Sequence, residues 1–546
     1  MTGSGPGVPP GVSVTVTGDL AGAAKQVTDT LVADGVPAAL AARDASLWGP
    51  DAEPEAAVRL GWLDLPRTSQ GLLPQLAVLR SELAAEGLDH IVLAGMGGSS
   101  LAPEVITRTA GVELTVLDTT DPGQVGAAIA DRLERTVVVV SSKSGGTVET
   151  DSHRRAYLAA FLHSGLSEVD AGRRFVVVTD PGSPLERTAA EMGARAVFLA
   201  DPEVGGRYSA LSAFGLVPSA LAGVDVGALL AEAEVVRGTL GAEEGNPGLV
   251  LGAAIGAAWE NGRDKLVIAD DGSGIVGFGD WAEQLVAEST GKLGKGVLPV
   301  AVEAPIAPGT AGDDVVLATL SWPGSPGPGA GTIAVSGPLG GQFLAWEYAT
   351  AVAGRVIGIN PFDQPNVAES KDNTKRILAE GLPQAAPAFT DGAVQVYAEA
   401  ALLGDAADLG TALARLLSAI PDRGYLAVMA YLDRLADTSA ADLRASLAAQ
   451  TPHPVTFGWG PRFLHSTGQF HKGGPPVGAF LQITGDIAAD LPVPGQPFSF
   501  GTLQAAQAAG DIAALASRGY PVLRLHLTDR RAGLGQILQS RRVEAP

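Results

Sequence analysis

The chain of 546 residues contains no cysteine and only seven histidines. The absence of cysteine excludes disulfide bonds, thiolate nucleophiles and cysteine-ligated zinc, and it is typical of a reducing compartment. Basic residues are also scarce, since 37 lysines and arginines stand against 59 acidic residues and the net charge is −22. A nucleic-acid partner, which binds a basic face, is therefore not expected. We expect a cytoplasmic protein.

Long hydrophobic runs are absent as well. The longest, Leu249–Trp259, is about half the ~20 residues that a membrane-spanning helix needs. Residues 1–10 are rich in glycine and proline and have neither the basic nor the apolar part of a signal peptide. The sequence therefore predicts no membrane partner and no targeting segment.

Hydrophobic periodicity divides the chain into four parts. Residues 1–85 repeat apolar positions at helical spacing. Residues 86–245 and 246–383 alternate short β-branched runs with helix-length segments, as doubly wound parallel sheets do. Residues 384–546 are predicted to be helical as far as Ala449 and then to form a small α/β unit. The predicted fold class is thus α/β, with two doubly wound parallel-sheet domains of similar plan.

Two polar loops follow predicted strands of the first domain. One contains Gly95-Met96-Gly97-Gly98-Ser99, where glycines allow a close backbone approach and amides at a helix start favour an anion. The other runs from Ser141 to Thr150 and offers hydroxyl groups that can surround a phosphate without much positive charge. The alternative for the second loop is an ordinary helix cap, with Thr147 as the cap and Glu149 or Thr150 completing a capping box.

These loops, together with three later segments in the same order, resemble the phosphoglucose isomerase family and its sugar isomerase domains. The later segments are Val204–Ser212, with its Gly-Gly-Arg-Tyr-Ser, Gln284–Lys292, with Glu288, and Asn360–Lys371, with Phe-Asp-Gln. A tail loop containing His-Ser-Thr-Gly-Gln is similar to the isomerase half of transaldolase–phosphoglucose isomerase fusions.

The resemblance implies two flavodoxin-like domains, a homodimer and a small-molecule sugar phosphate as partner. It implies reversible isomerisation of glucose 6-phosphate and fructose 6-phosphate through ring opening and a cis-enediol, without cofactor or metal. The substrate-binding residues that it implies are Gly98, Ser99, Ser142, Lys143, Ser144, Thr147, Gln284 and Gln364. The catalytic residues are Glu288 as the base between C2 and C1, Arg207 beside the enediolate, and Lys371 in ring opening.

Enediol chemistry independently requires a desolvated carboxylate beside a weakly acidic C–H and a cation beside the oxyanion. Glu288 and Arg207 fit these two roles. The alternatives are a structural salt bridge or a helix-surface carboxylate for Glu288, an ion pair between domains for Arg207, and a solvated helix face for Lys371.

The histidine that the family uses for ring opening is missing from its usual place, since no histidine lies between His163 and His453. The candidates lie downstream, at His465 and His471 in a glycine-rich loop. In the family this histidine comes from the second subunit, so its position along the chain is less constrained. The alternative is that both histidines cap turns, and their spacing matches no common metal site.

Two rival functions remain open from the sequence. One is an isomerase of broader or different hexose 6-phosphate specificity, such as for mannose 6-phosphate. The other is a non-catalytic sugar-phosphate-binding protein, which would not need Glu288 and Arg207.

Overall fold

The computed structural model describes residues 11–322, 332–383 and 385–540. Residues 1–10, on which the expectation of no targeting segment rests, lie outside these ranges. Among the described residues, no helix combines the length and apolarity needed to cross a membrane.

The N-terminal segment is mainly helical, as its periodicity predicts. Its helices are α1 (Leu20–Ala33), α2 (Val36–Ala41), α3 (Glu53–Ala56), α4 (Leu65–Thr68) and α5 (Leu73–Ala85). It also contains a strand that the sequence pattern does not predict, β1 (Ser13–Val16), which pairs antiparallel with a strand of the second domain. The first residues described are therefore part of a distant sheet.

The first domain is a five-stranded parallel sheet with helices between its strands. Its strands are β2 (His90–Gly95), β3 (Thr115–Leu117), β4 (Thr136–Ser141), β5 (Phe175–Thr179) and β6 (Ala196–Leu199). Its helices are α6 (Leu101–Ala110), α7 (Pro122–Ala130), α8 (Val148–His163), α9 (Glu168–Gly172) and α10 (Pro184–Glu191). The strand order is β3-β2-β4-β5-β6, so the winding reverses between β2 and β4. Ligands of such sheets bind at this point, beyond the carboxyl ends of the strands.

The second domain repeats this plan. Helices α11 (Ala213–Ala222) and α12 (Val226–Arg237) lead into it, followed by α13 (Pro247–Glu260), β7 (Lys265–Asp271), α14 (Phe278–Thr290), β8 (Leu298–Val302), β9 (Val315–Ser321), β10 (Thr332–Ser336), α15 (Leu339–Ile357) and α16 (Val367–Glu380). Its parallel order is β8-β7-β9-β10, with β1 added beyond β10. The predicted fold class, α/β with two doubly wound domains of similar plan, is confirmed.

The third unit differs from the prediction. Its sheet has the order β11-β12-β16-β15-β13-β14 and is no smaller than the other two. Its strands are β11 (Phe389–Asp391), β12 (Val394–Tyr397), β13 (Tyr425–Tyr431), β14 (Val455–Trp459), β15 (Gly478–Gly485) and β16 (Val522–Leu527). Its helices are α17 (Ala400–Leu403), α18 (Leu409–Ser418), α19 (Leu443–Ala448), α20 (Gly468–Gly473), α21 (Phe500–Ala516) and α22 (Arg530–Gln539). Three strands thus form in the part predicted to be helical. The central one, β13, is buried throughout, and a short continuous apolar run does not distinguish a buried strand from a helix.

A buried ionic cluster connects the third unit to the first domain. Glu104 of α6 accepts hydrogen bonds from Arg434, at 2.8 Å, and from Arg462. Asp118 adds a second carboxylate, 3.3 Å from Arg462. Burial alone would raise the pKa of Glu104, but the two arginines outweigh it and lower that pKa to about 2. The cluster holds Arg462, and with it the loop that contains His465, against the first sheet.

Glu104→Gln should lower the midpoint of thermal unfolding at pH 7, because removing one partner of a buried ion pair costs about 3–5 kcal/mol. The folded-state pKa is depressed, so this stabilisation exists above the ordinary glutamate pKa and disappears as the pH falls from about 4.3 toward 2. The gap between wild type and variant should therefore close over that interval in calorimetric scans. The exposed Glu82→Gln is the control, and an equal effect of both changes would contradict the role of the cluster.

Candidate active site

The two polar loops of the first domain lie side by side at the point where its winding reverses. The glycine loop follows β2 and the serine loop follows β4, and these two strands are neighbours in the sheet. The sequence brings them together because both strands are buried valine- and leucine-rich runs that end at the same edge. The loops therefore form one surface at the carboxyl edge, where an anion would bind.

The serine loop is not an ordinary helix cap. Thr147 precedes α8 but makes no side-chain cap hydrogen bond, and its hydroxyl lies 2.9 Å from that of Ser142. Ser142 Oγ also accepts from the Gly145 amide at 3.2 Å, and Ser144 Oγ accepts from the Gly146 amide at 3.3 Å. The hydroxyls and the amides at the start of a 16-residue helix are thus gathered around one turn. The capping-box alternative is wrong.

Ser99 and Gly98 lie beside this loop. Ser99 is buried, and its hydroxyl has no hydrogen bond within the ranges that the structure describes. Gly98 packs so tightly on the chain before Arg207 that a Cβ there would lie 1.9 Å from the Gly206 carbonyl oxygen. This close approach, rather than a special backbone angle, accounts for glycine at position 98.

The Arg207 side chain is buried and makes four hydrogen bonds. It donates to Ser289 Oγ at 2.7 Å, to Gln364 Oε1 at 2.6 Å and to the main-chain oxygens of Pro361, at 2.6 Å, and Asp363, at 3.0 Å. All four acceptors belong to the second domain, whereas Arg207 follows the first sheet. The arginine thus joins the two domains at the site.

Glu288 lies on α14, also buried, with one carboxylate oxygen 3.4 Å from Arg207 Nη1. Its other oxygen accepts from Gln284 Nε2 at 3.1 Å, one helical turn earlier. The same Gln284 nitrogen donates to the main-chain oxygen of His465 at 2.8 Å. Gln284 Oε1 is buried without a partner among the described residues. The predicted base, cation and glutamine are therefore brought together.

His465 enters the site from the third unit of the same chain. Its Nε2 lies 3.0 Å from Glu149 Oε1. A carboxylate only accepts hydrogen bonds, so we assign the proton to Nε2, which leaves Nδ1 without a partner in the described part of the chain. Burial would raise the pKa of Glu149, but the charge and hydrogen bond of His465 outweigh it and lower that pKa to about 2. Glu149 is therefore ionised at neutral pH.

A cavity of about 390 Å³ connects several of these groups. Its lining includes Ser144, Gly146 and Thr147 of the serine loop, together with Glu149, Lys371 and His465. Lys371 lines this cavity and is exposed to solvent. This place agrees both with the predicted role near a substrate and with the alternative of a solvated helix residue.

Of the predicted residues, Ser144, Thr147, Lys371 and His465 line this cavity and the others do not. Lys143 pairs with Asp180 at 2.5 Å and lines a neighbouring cavity of about 270 Å³, together with Gln364, instead of the one beside Thr147. His471 is buried against Tyr425, whose hydroxyl lies 2.9 Å from its Nδ1. Burial, and then the charge of Lys472, lower the pKa of His471 to about 3. The prediction of His471 as a site residue is corrected, because a neutral histidine packed in the core has no access to the cavity.

Three buried or partly buried polar residues beside these groups were not predicted as site residues from the sequence. Glu149 lies in the recognised serine motif but was considered only as a helix cap. Gln469 donates to the Gly291 carbonyl at 2.8 Å and to Asn366 Oδ1 at 2.9 Å, so it ties the Glu288 segment to the Lys371 segment. Lys292 donates to Asp363 at 2.6 Å, and burial, with the charge of Arg207, lowers its pKa to about 8. Gln469 and Lys292 could have been found from the sequence, because each lies inside one of the segments that resemble the family.

The fold and the hydroxyl-lined loop define this chain as an α/β protein of the sugar isomerase domain class. The model of the phosphoglucose isomerase family matches residues 81–269. Glucose-6-phosphate isomerase of Rubrobacter xylanophilus is 30% identical over 379 residues, which cover 57% of this chain and 87% of that protein. That of Thermosynechococcus vestitus is 36% identical over 214 residues, 37% of this chain and 40% of the relative.

Solved structures agree with this class. A protein of Thermus thermophilus, described as hypothetical, superposes with a TM-score of 0.55 at 25% identity and covers 67% of this chain and 100% of its own. Glucose-6-phosphate isomerase of Chlamydia trachomatis has a TM-score of 0.50 at 20% identity, over 57% of this chain and 74% of its own, and shares the fold. The chain belongs to the phosphoglucose isomerase family.

Gly98→Ala should abolish the close contact between the glycine loop and the chain before Arg207, because the new methyl group would collide with the Gly206 carbonyl. Overpacking of this kind costs about 1–3 kcal/mol and would displace Arg207. Expected results are a lower thermal midpoint and weaker binding of a sugar phosphate by calorimetry. Gly126→Ala is the control, since its Cβ would meet nothing within 4 Å. Unchanged binding by Gly98→Ala would refute the contact.

The two histidines should separate stability from activity. His465→Ala should lower turnover of a hexose 6-phosphate strongly and leave the thermal midpoint nearly unchanged. His471→Phe should reverse this pattern, because it loses the hydrogen bond to Tyr425 but touches no cavity group. The pKa of His471 is depressed in the folded state, so the free energy of unfolding decreases as the pH falls from about 6.5 toward 3. This pH dependence of stability should be weaker in His471→Phe. Loss of turnover in His471→Phe at wild-type stability would contradict the assignment.

Proposed function

We propose that the protein interconverts glucose 6-phosphate and fructose 6-phosphate through ring opening and a cis-enediol. The observation that carries the proposal is the pair of Glu288 and Arg207, with a carboxylate oxygen 3.4 Å from a buried guanidinium. Proton abstraction beside a carbonyl needs this combination of base and cation. Family membership and the names of the relatives support the same reaction.

The phosphate of the substrate binds the serine loop in this proposal. The hydroxyls of Ser142, Ser144 and Thr147 and the first amides of α8 supply donors without a large positive charge. Ser99 adds a further hydroxyl that is free in the described residues. This arrangement is compatible with the chain's net charge of −22 because it relies on local dipoles.

The sugar ring opens when His465 Nδ1 takes the proton of the C1 hydroxyl and the resulting imidazolium gives a proton to the ring oxygen O5. Glu149 stabilises the cationic imidazole that takes part in this exchange, as a buried carboxylate does for a catalytic histidine. Lys371, exposed at the same cavity, assists at the oxygen atoms of C1 and the ring. The C1–O5 bond breaks, and the open-chain aldehyde results.

Isomerisation follows in the open chain. Glu288 removes the proton from C2, the electrons move to the carbonyl oxygen, and Arg207 stabilises the enediolate. The same carboxylic acid returns the proton to C1 while the proton of the C2 hydroxyl passes to the oxygen of C1, and the ketose results. Gln284 holds the carboxylate, at 3.1 Å, and offers its unpartnered Oε1 to a sugar hydroxyl.

No metal or cofactor is assigned to this reaction, because its base and its oxyanion partner are side chains of the chain. One group of metal-ligand type occurs among the described residues, at His90, Glu113 and Asp131. It lies at the amino edge of the first sheet, and Arg132 pairs with both carboxylates. Turnover should therefore survive treatment with a chelator. We also propose a cytoplasmic homodimer, which rests on the absence of cysteine and on the family resemblance.

Glu288→Gln should reduce turnover by about 10² to 10⁴, the range for loss of a general base. The exchange of the C2 hydrogen with deuterium from D₂O, followed by NMR, should fall in parallel. Glu283→Gln on the same helix is the control, because burial, and then Asp280, raise the pKa of Glu283 to about 8 and keep it mainly protonated at pH 7. Wild-type exchange in Glu288→Gln would refute the mechanism.

The same assay separates the rival functions. A kcat/KM for mannose 6-phosphate above that for glucose 6-phosphate would point to the different specificity. Binding of the sugar phosphates without exchange at C2 in the wild type would point to a non-catalytic binding protein.

A further inference from the structure

Gln507, on α21 of the third unit, makes a direct contact with the Glu149–His465 pair. Its Nε2 donates to Glu149 Oε1 at 2.7 Å, and that same oxygen accepts from His465 Nε2 at 3.0 Å. Gln507 is 2% exposed, so water does not replace this contact easily. One carboxylate oxygen is thus shared by two donors from two different segments of the third unit.

The orientation of the Gln507 amide is determined by the first domain. Thr120 Oγ1 donates to Gln507 Oε1 at 2.8 Å. Because the carbonyl end meets this hydroxyl, the NH₂ end must face Glu149, which can only accept. Thr120, Gln507, Glu149 and His465 therefore form one continuous hydrogen-bonded chain.

The helix that carries Gln507 is itself anchored beside the His465 loop. Asp511, one turn later on α21, lies 2.7 Å from Lys472, and both side chains are almost completely buried. Lys472 follows His465 on the next short helix. The Asp511–Lys472 ion pair thus fixes the helix of Gln507 relative to the loop of His465.

We propose that Gln507 is a positioning residue that holds the Glu149 carboxylate and thereby the tautomer and orientation of the His465 ring. The role rests on the proposed function, since it acts on the ring-opening group. Glu149 Oε1 accepts from both Gln507 and His465, so one of its lone pairs points at each donor. His465 must then carry its proton on Nε2. Nδ1 is then the nitrogen that faces the sugar. In this way the third unit orients the ring-opening histidine of a site whose serine loop belongs to the first domain.

The ionisable groups around Glu149 come from several elements. His465 contacts it, and Lys371 of α16 is the other cation that lowers its pKa. His153, one turn later on α8, is buried, and its Nε2 donates to the Thr119 carbonyl. Burial, and then the charges of Asp511 and Glu149, raise the pKa of Tyr431 of β13. None of these groups replaces the Gln507 amide, because among them only His465 contacts Glu149 Oε1.

The test is Gln507→Leu, which keeps the volume and removes the donor. We expect kcat to fall about tenfold, as for loss of a hydrogen bond to a charged group, with KM within about twofold of wild type. The acid limb of the kcat profile should shift to higher pH, because the Glu149 carboxylate becomes more basic when it loses a hydrogen-bond donor. Thr120→Val should change both quantities in the same direction but less, and the double variant should be no worse than Gln507→Leu.

The matched control is Gln504→Leu, a buried glutamine one turn earlier on the same helix whose Nε2 has no partner among the described residues. It should leave kcat and the pH profile unchanged. Wild-type kcat and pH profile in Gln507→Leu would overturn the proposal and leave the isomerase function intact.

A second readout does not depend on turnover. Nitrogen-15 NMR of the His465 ring should show the Nε2–H tautomer alone in the wild type and a mixture of tautomers in Gln507→Leu. An unchanged tautomer in Gln507→Leu would overturn the positioning role even if activity fell. The expected mixture in Gln507→Leu, combined with a wild type that lacks isomerase activity, would support the positioning of His465 while refuting the function.

Discussion

The burial of one positive charge, that of Arg207, is the constraint on which the site depends. A guanidinium that is removed from water must have every donor met, because an unpaired buried charge is very costly. Its acceptors come from Ser289, Gln364 and the 361–363 main chain, and Glu288 lies beside it. These groups are on separate segments of the second domain. Hydrogen bonding and ion pairing to Arg207 therefore fix the positions of Glu288 and Gln364 relative to each other and to the first domain.

Two neighbouring contacts complete that alignment. Gly98 allows the first domain to touch the main chain just before Arg207, and Gln469 joins the segments that follow Glu288 and precede Lys371. The serine loop contributes hydroxyls and amides instead of cations. Ionic attraction over the whole surface is therefore unnecessary, and an acidic protein can bind an anionic sugar through short-range donors.

The third unit is part of the site and not an addition to it. The Glu104 cluster fixes Arg462 on the first domain, and three residues later His465 meets Glu149. In this structure the histidine comes from the same chain. The tail loop therefore brings His465 to the first domain within one chain, and the sequence indicated an unusual place only by the lack of a histidine between His163 and His453.

The sequence by itself determined the α/β class and the two sheets of like plan, because buried strands form continuous apolar runs. It also placed the two polar loops at the ends of strands, while the other candidate site residues came from the family resemblance. It did not determine β11–β13, since a short apolar run fits a helix or a buried strand equally well. It also left His465 and His471 equivalent. Only the tertiary structure separated them, because one lies against a carboxylate at a cavity and the other is enclosed by aromatic side chains. Burial and partners arise from contacts between residues far apart in the chain, which no local pattern records.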